Sequence, residues 1–314
     1  MKINFAGGDF YSDAGLLLVK EFISKLGFDQ ILKSGFKTND PARFRFHKDD
    51  ENLWQMVYQI LGAYFEDDCA DELTNDPVLT ALLGKKALAS QPTLSRFFNR
   101  MDDSTLQQFY DIMRRVVYAV KKPSLLLLDL DSTLLDTYGC QEGEGFNFHY
   151  RNRGYYPLVC YDGMTGDLLK IELRNGTAYS STGVVDFLQP LLDEFQEDDP
   201  EIPLLLRGNS GFAAPSLYNQ CETNGTSYVI RLKQNPVLRK LAADIEEDLL
   251  EKTWMDKISH AAAYGEFLYQ AGSWAYPRRV VCKIEKPAGQ MIHMFTFLVT
   301  NMDSSPEDLI RFYC

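Results

Sequence analysis

Residues 125–133 read Leu-Leu-Leu-Leu-Asp-Leu-Asp-Ser-Thr, and no other stretch constrains this chain as much. The leucines make a short, fully apolar strand that ends in two carboxylates, Asp129 and Asp131, one residue apart. Alternation along a strand puts both acids on one face, where the strand leaves the core. Paired acids at the mouth of a buried strand are what a Mg²⁺ phosphoryl-transfer site needs. The competing reading is a pair of solvated turn carboxylates, with Ser132 capping the residues after it.

With 314 residues the chain can bury a full core and has room for two or three domains. No run of eighteen uncharged apolar residues occurs, so no membrane span is expected. The N-terminus MKINFAGGDFYSD lacks an apolar signal region. The six cysteines are scattered with no Cys-x-x-Cys pair, which predicts reduced thiols in a cytoplasmic protein. A net charge of −12 argues mildly against a protein that coats nucleic acid, yet local basic groups decide such contacts. These groups include Arg43, Arg45, His47 and Lys48, Arg114 and Arg115, and Arg151 and Arg153.

Residues 1–122 read as mostly helical. Helices are expected over Asp13–Leu26, Asn52–Phe65, Asp76–Leu83, Thr93–Asn99 and Thr105–Val120, with Ser12 or Asp13 capping the first and Gly27 stopping it. Pro92 suits the first turn of the fourth. Arg96 and Arg100, four apart in SQPTLSRFFNRM, are candidate DNA contacts, weighed against an ordinary amphipathic helix. After Lys121-Lys122-Pro123 the pattern turns to strands: LLLLDLD, FNFHY, YYPLVCYD and DLLKIELR. A helix near Thr182–Phe195, the strand LLLR, a helix over Pro215–Thr223 and the strand SYVIRL come next. That order is an α/β pattern with an antiparallel leading edge. Residues 231–314 hold an acidic helix over Leu238–Glu251 and the strands RVVCKIE and HMFTFLVTN, and enter a further helix at DLIRFYC.

LLLRGNSGF is a second apolar strand ending in a glycine-rich polar turn, the kind of place where α/β proteins build sites. A metal site wants an acid there, and the sequence offers Asn209. An amide oxygen can coordinate Mg²⁺ but brings no negative charge.

Taken together and in order, a set of segments resembles the insertion-sequence DDE transposases, specifically the transposase DDE group 1 family. The segments are LGAYFEDDCADELTNDPVL, SQPTLSRF, LLLLDLDSTLLDTYGCQEG, FNFHYRNRGYYPLV, LRNGTAYSSTGVVDFLQPLL, LLLRGNSGF and LVTNM. The resemblance implies an α/β fold: an RNase H-like mixed-sheet core (its first part over 123–230), a helical N-terminal domain (1–122) with possible DNA-end binding, and a β-rich insertion (231–314). It also implies DNA strand cleavage and strand transfer with two Mg²⁺ (or Mn²⁺) ions held by three carboxylates. The partners would be terminal inverted repeats and target DNA, with a homodimer open, in a nucleoid-associated, bacterial-type setting.

Carried over residue by residue, the first carboxylate falls on Asp131, with Asp129 a close second, and the second falls on Asn209, which is not an acid. The metal would therefore rest on Asp131 and Asn209. The third, a glutamate reached through a Tyr-x-x-Arg approach, lies past Phe312-Tyr313-Cys314, so the chain is expected to be truncated before it. These departures predict weakened or absent metal binding and a chain catalytically inactive or severely impaired. Arg151 and Arg153 are expected on the strand beside the site, touching DNA phosphates or pairing with nearby acids. Gln141 and Asn147 are read as shaping the turn, with DNA contact as the alternative, and Tyr155 and Tyr156 as core or subunit packing. Two rivals stand. In a haloacid-dehalogenase-like phosphatase, Asp129 would be the nucleophile and Asp131 the acid/base. A non-catalytic fragment would bind transposon ends alone.

Overall fold

The computed structural model describes residues 12–255, 258–290 and 292–314 and divides into two compact units, residues 1–122 and 123–314. Among the described residues no helix is long and apolar enough to cross a membrane, and all six cysteines are free thiols.

The first unit is helical: α1 (Leu16–Lys25), α2 (Phe28–Gly35), α3 (Asp49–Leu61), α4 (Cys69–Glu72), α5 (Pro77–Leu83), α6 (Gln91–Phe98) and α7 (Asp103–Val120). Its starts follow capping chemistry. The Asp76 carboxylate accepts from the N–H groups of Val78 and Leu79, and Asp102 does the same for Ser104 and Thr105. The expected cap at Asp13 is not one: its carboxylate instead accepts from the Tyr64 hydroxyl at 2.8 Å, and a 3₁₀ turn over Ser12–Gly15 precedes α1. Gly27, at φ 72°, ends α1 as expected, and α2 begins at once where the sequence pattern suggested no helix. Leu16, Ile23, Tyr58, Leu79 and Leu82 form one buried cluster, and Leu32, Phe36, Leu53, Phe97 and Ile112 another.

The second unit runs β1 (Leu126–Ser132), β2 (Leu135–Asp136), β3 (Gly145–Asn147), β4 (Asn152–Tyr155), β5 (Leu158–Asp162), β6 (Leu168–Glu172), α8 (Val184–Asp198), β7 (Leu204–Gly208), α9 (Pro215–Thr223), β8 (Ser227–Leu232), α10 (Pro236–Leu241), α11 (Ala243–Thr253), β9 (Ala261–Tyr269), β10 (Arg278–Lys286), β11 (Met294–Thr300) and α12 (Pro306–Tyr313). Eight strands form one sheet in the order β6-β5-β1-β7-β8-β11-β10-β9. β5 pairs antiparallel with both β1 and β6, whereas β7 is parallel to β1 and β8 to β7. Counted within this sheet, the first five strands in the chain stand 3-2-1-4-5, which is the RNase H-like arrangement. The parallel steps are the ones that need helical crossovers, and α8 and α9 supply them. Leu127, Leu205, Val229, Val281 and Leu298 bury one face against Leu309 and Ile310 of α12.

Two elements depart from the sequence pattern. FNFHY does not join the main sheet: β3 pairs with β4 in a separate three-stranded sheet, β2-β4-β3, and His149 and Tyr150 fall in the turn. The expected helix over Leu238–Glu251 is broken at Ala242 into α10 and α11. The strands after it carry the core sheet onward, β11 pairing with β8.

The small sheet is closed by Gly176. A Cβ there would sit inside the contact radius of the carbonyl oxygens of Gly145 and Gly154, which are backbone and cannot step aside. Gly176→Ala should cost about 3 kcal/mol through overpacking, seen as a fall in melting temperature of about 6–12 °C. A shift below about 2 °C would contradict the packing described.

Candidate functional site

On β1, Leu127, Asp129 and Asp131 alternate onto one face while Leu126, Leu128 and Leu130 are buried on the other. Both acids therefore share a face, as the strand pattern requires. The parallel register with β7 sets Asp129 opposite Arg207 and Leu130 opposite Gly208, so Asn209 arrives beside Asp131.

The two acids have different fates. Asp129 is half-buried and clamped by Arg207, with Nε to Oδ1 at 3.0 Å and Nη2 to Oδ2 at 2.5 Å. The same pairing raises the Arg207 guanidinium above its ordinary pKa, against the opposing pull of burial. The Phe312 ring lies 5.8 Å from that guanidinium, and the Tyr313 hydroxyl donates to the Gly208 carbonyl at 3.3 Å. A bidentate Arg–carboxylate pair leaves Asp129 little capacity to ligate or attack. Asp131 is exposed, and its Oδ1 accepts from the Ser132 N–H at 2.8 Å and from Asn209 Nδ2 at 3.3 Å.

Asn209 is oriented by its own turn. Its Oδ1 accepts the Gly211 N–H at 2.7 Å, capping the 3₁₀ turn Ser210–Phe212. That backbone donor fixes which end of the amide is oxygen, so the NH₂ group faces Asp131. A hard cation wants several oxygen ligands with negative charge among them. Here one carboxylate is neutralised by arginine, one is uncommitted, and the amide presents hydrogens. Among the described residues no group of three or more His, Cys, Asp or Glu side chains could hold a metal ion. The donor set therefore does not fit Mg²⁺ or Mn²⁺.

The arginines singled out from sequence divide in the same way. Arg153 lies on β4 of the small sheet and pairs with Glu144 at 2.8 Å. Hydrogen bonds from Thr137 and Arg153 hold the Glu144 carboxyl below its usual range. In the first unit Arg100 pairs with Asp49 at 3.0 Å and Asp40 at 3.4 Å. Arg151 and Arg96 keep exposed side chains, Arg151 on a turn at φ 57°. Asn147 shapes a turn, accepting from the N–H groups of His149 and Tyr150. Gln141 donates to the Tyr138 carbonyl. Tyr156 is buried, and the Tyr155 hydroxyl donates to the Glu142 carbonyl.

Sequence reasoning missed Arg207 and Arg174. Arg174 is buried, and its guanidinium donates to the carbonyls of Tyr156, Tyr179, Ser180 and Thr182 and to Ser132 Oγ. It thereby ties the loop after β6 to the end of β1, next to Asp131. Arg207 was readable only with the β1–β7 register in hand.

The strand order and the placement of Asp131 and Asn209 at the ends of adjacent parallel strands define an RNase H-like core. The family described as "Transposase DDE domain group 1" matches residues 1–314, and the chain belongs to it. No curated protein matches the chain. Among solved structures it is similar to a piggyBac transposase, described as a cryo-EM synaptic complex with hairpin DNA, at 11% identity and a TM-score of 0.38. That match covers 98% of this chain and 57% of the other, so this chain spans little more than half the length of that relative.

Proposed function

We propose that this chain is an insertion-sequence transposase that engages transposon-end DNA but does not cut it, because Asn209 stands where its site needs an acid. The Asn209–Asp131 hydrogen bond carries the reading. It puts an amide NH₂, a donor, where a metal-bridging carboxylate would be an acceptor. Family membership supports DNA as the partner, with terminal repeats and target DNA as its two forms, and Mg²⁺ or Mn²⁺ as the ion of its competent relatives. Arg151 and Arg96 are the exposed candidates for phosphate contacts; Arg153 and Arg100 serve their own acids first.

The phosphatase alternative would need Asp129 free as its nucleophile, and Arg207 clamps that carboxylate.

The test is nicking of supercoiled plasmid with Mg²⁺ or Mn²⁺, run beside gel-shift binding in EDTA. Binding without nicking above a protein-free control is expected. Metal-dependent nicking that disappears in Asp131→Ala would overturn the reading.

A further inference from the structure

Beside Asp131 and Asn209 lies an open cavity of about 530 Å³, walled by aromatic rings that the fold leaves in solvent. Phe148 is 83% exposed, Tyr179 55% and Tyr150 47%. Exposed aromatics are ordinary one at a time; three around one cavity form an unpartnered apolar surface. The lining also carries polar groups, among them Asp131, Ser180 and Asn209, with the exposed Lys233 bordering it.

The ring carriers are held in place without a ligand. Phe148, His149 and Tyr150 ride on a turn whose N–H groups Asn147 caps, while the Asn147 amide donates to the Gly176 carbonyl at 2.9 Å. Tyr179 rides on the loop that Arg174 fastens through its carbonyl bonds. The Phe148 ring is braced edge-on by Phe146 at 5.3 Å, and Tyr150 by His149 at 4.9 Å. Pre-positioned rings lose little entropy when a flat ligand stacks on them.

We infer that this cavity takes an unpaired nucleotide of DNA, its base stacked on Phe148 and Tyr179 and its flanking phosphate toward Lys233. The ligand must offer a flat apolar face, a polar edge and a negative charge, and it must reach a groove beside Asp131. A nucleotide meets all of these conditions. A base inside a duplex does not, because both of its faces are covered by neighbours, so the site selects strand ends, flaps or extruded bases. The cavity volume lies within the range of pockets that enclose small planar ligands. The inference rests on the DNA reading above and adds the form of DNA this unit prefers.

The experiment compares two duplexes of arbitrary sequence in EDTA with the full chain. One is blunt. The other carries a three-nucleotide single-stranded overhang containing 2-aminopurine. Base–aromatic stacking predicts about tenfold tighter binding of the overhang duplex, with the 2-aminopurine emission quenched on binding. Phe148→Ala combined with Tyr179→Ala should bring the overhang duplex down to the affinity of the blunt one, and Phe148→Trp should keep the preference. These side chains are solvent-exposed, so their loss leaves the core intact. Equal affinity for the two duplexes, or a preference that survives the double substitution, overturns the pocket assignment while leaving DNA binding standing. No binding to either duplex also overturns the pocket assignment, and the gel shift on transposon-end DNA described above then decides the DNA reading by itself.

Discussion

An Asn209→Asp variant will bind Mn²⁺ where the parent does not, and without metal it will melt below the parent. The substitution keeps the turn, because a carboxylate oxygen can still accept the Gly211 N–H that the amide oxygen accepts now at 2.7 Å. What changes is the other end of the side chain. An NH₂ group now donates to Asp131 Oδ1 at 3.3 Å. An oxygen in its place would set two carboxylates against each other, and such a pair either shares a proton or recruits a cation. Both side chains are exposed, so water screens the repulsion and the metal-free loss should be small, about 1 kcal/mol or 2–4 °C. A divalent ion at a hundred times its dissociation constant would return about 2.7 kcal/mol. Calorimetric titration with Mn²⁺ and paired melts with and without EDTA read both effects. A variant that binds no more Mn²⁺ than the parent would show that Asp131 and residue 209 do not converge on one ion.

The site was half legible in the sequence, and the division has a physical cause. Asp129 and Asp131 were readable as a pair because the strand alternation that aligns them is local. The missing charge at position 209 was readable because an apolar strand must end somewhere, and a glycine-rich turn marks the place. Arg207 was not readable as the partner of Asp129. The two are 78 positions apart and meet only through the parallel β1–β7 register. The same limit hid the partners of Arg100, whereas Arg153 finds Glu144 only nine positions away, one of the two readings its sequence allowed.

In the fold, the leucine, SYVIRL and HMFTFLVTN strands announced themselves because both faces are buried. β9 did not. Its sequence AAAYGEFLY is weak in β-branched residues and is held at the sheet edge by pairing with β10. FNFHY has strand-like residues but is drawn into the small sheet, where Gly154 and Gly176 permit a close approach that sequence pattern cannot signal.

Glu222→Ala should destabilise the second unit by about 3–5 kcal/mol, the cost of leaving a buried arginine without its counter-charge. Arg278, at the start of β10, is 4% exposed. Its Nε donates to Glu222 Oε1 at 2.8 Å, and its Nη2 donates to Glu222 Oε2 at 3.0 Å and to Asn219 Oδ1 at 2.6 Å. The guanidinium also lies 4.3 Å from the Tyr276 ring, 5.1 Å from Tyr218 and 5.5 Å from Trp274. The hydroxyls of Tyr228 and Tyr276 donate to the same carboxylate. These residues come from α9, β8 and β10 and the segment before it, so the cluster joins the core crossover to the strands that extend the sheet. Burial alone would push the Glu222 carboxyl up, but the hydrogen bonds from Arg278, Tyr276 and Tyr228 outweigh it and hold the pKa below its ordinary 4.5. A carboxylate whose folded pKa is depressed contributes stability that is present above its unfolded pKa and lost as pH falls through the folded one. The wild-type melting temperature should therefore fall as pH drops below about 4.5, and Glu222→Gln should flatten that fall while lowering stability at pH 7. Replacing both partners with apolar residues, Glu222→Leu with Arg278→Met, should cost less than either single change, because no charge is then left unpaired. Additive losses in that cycle would mean that the two side chains stabilise the sheet independently, and that the backbone ladder and packing, not this ion pair, join the core to its added strands.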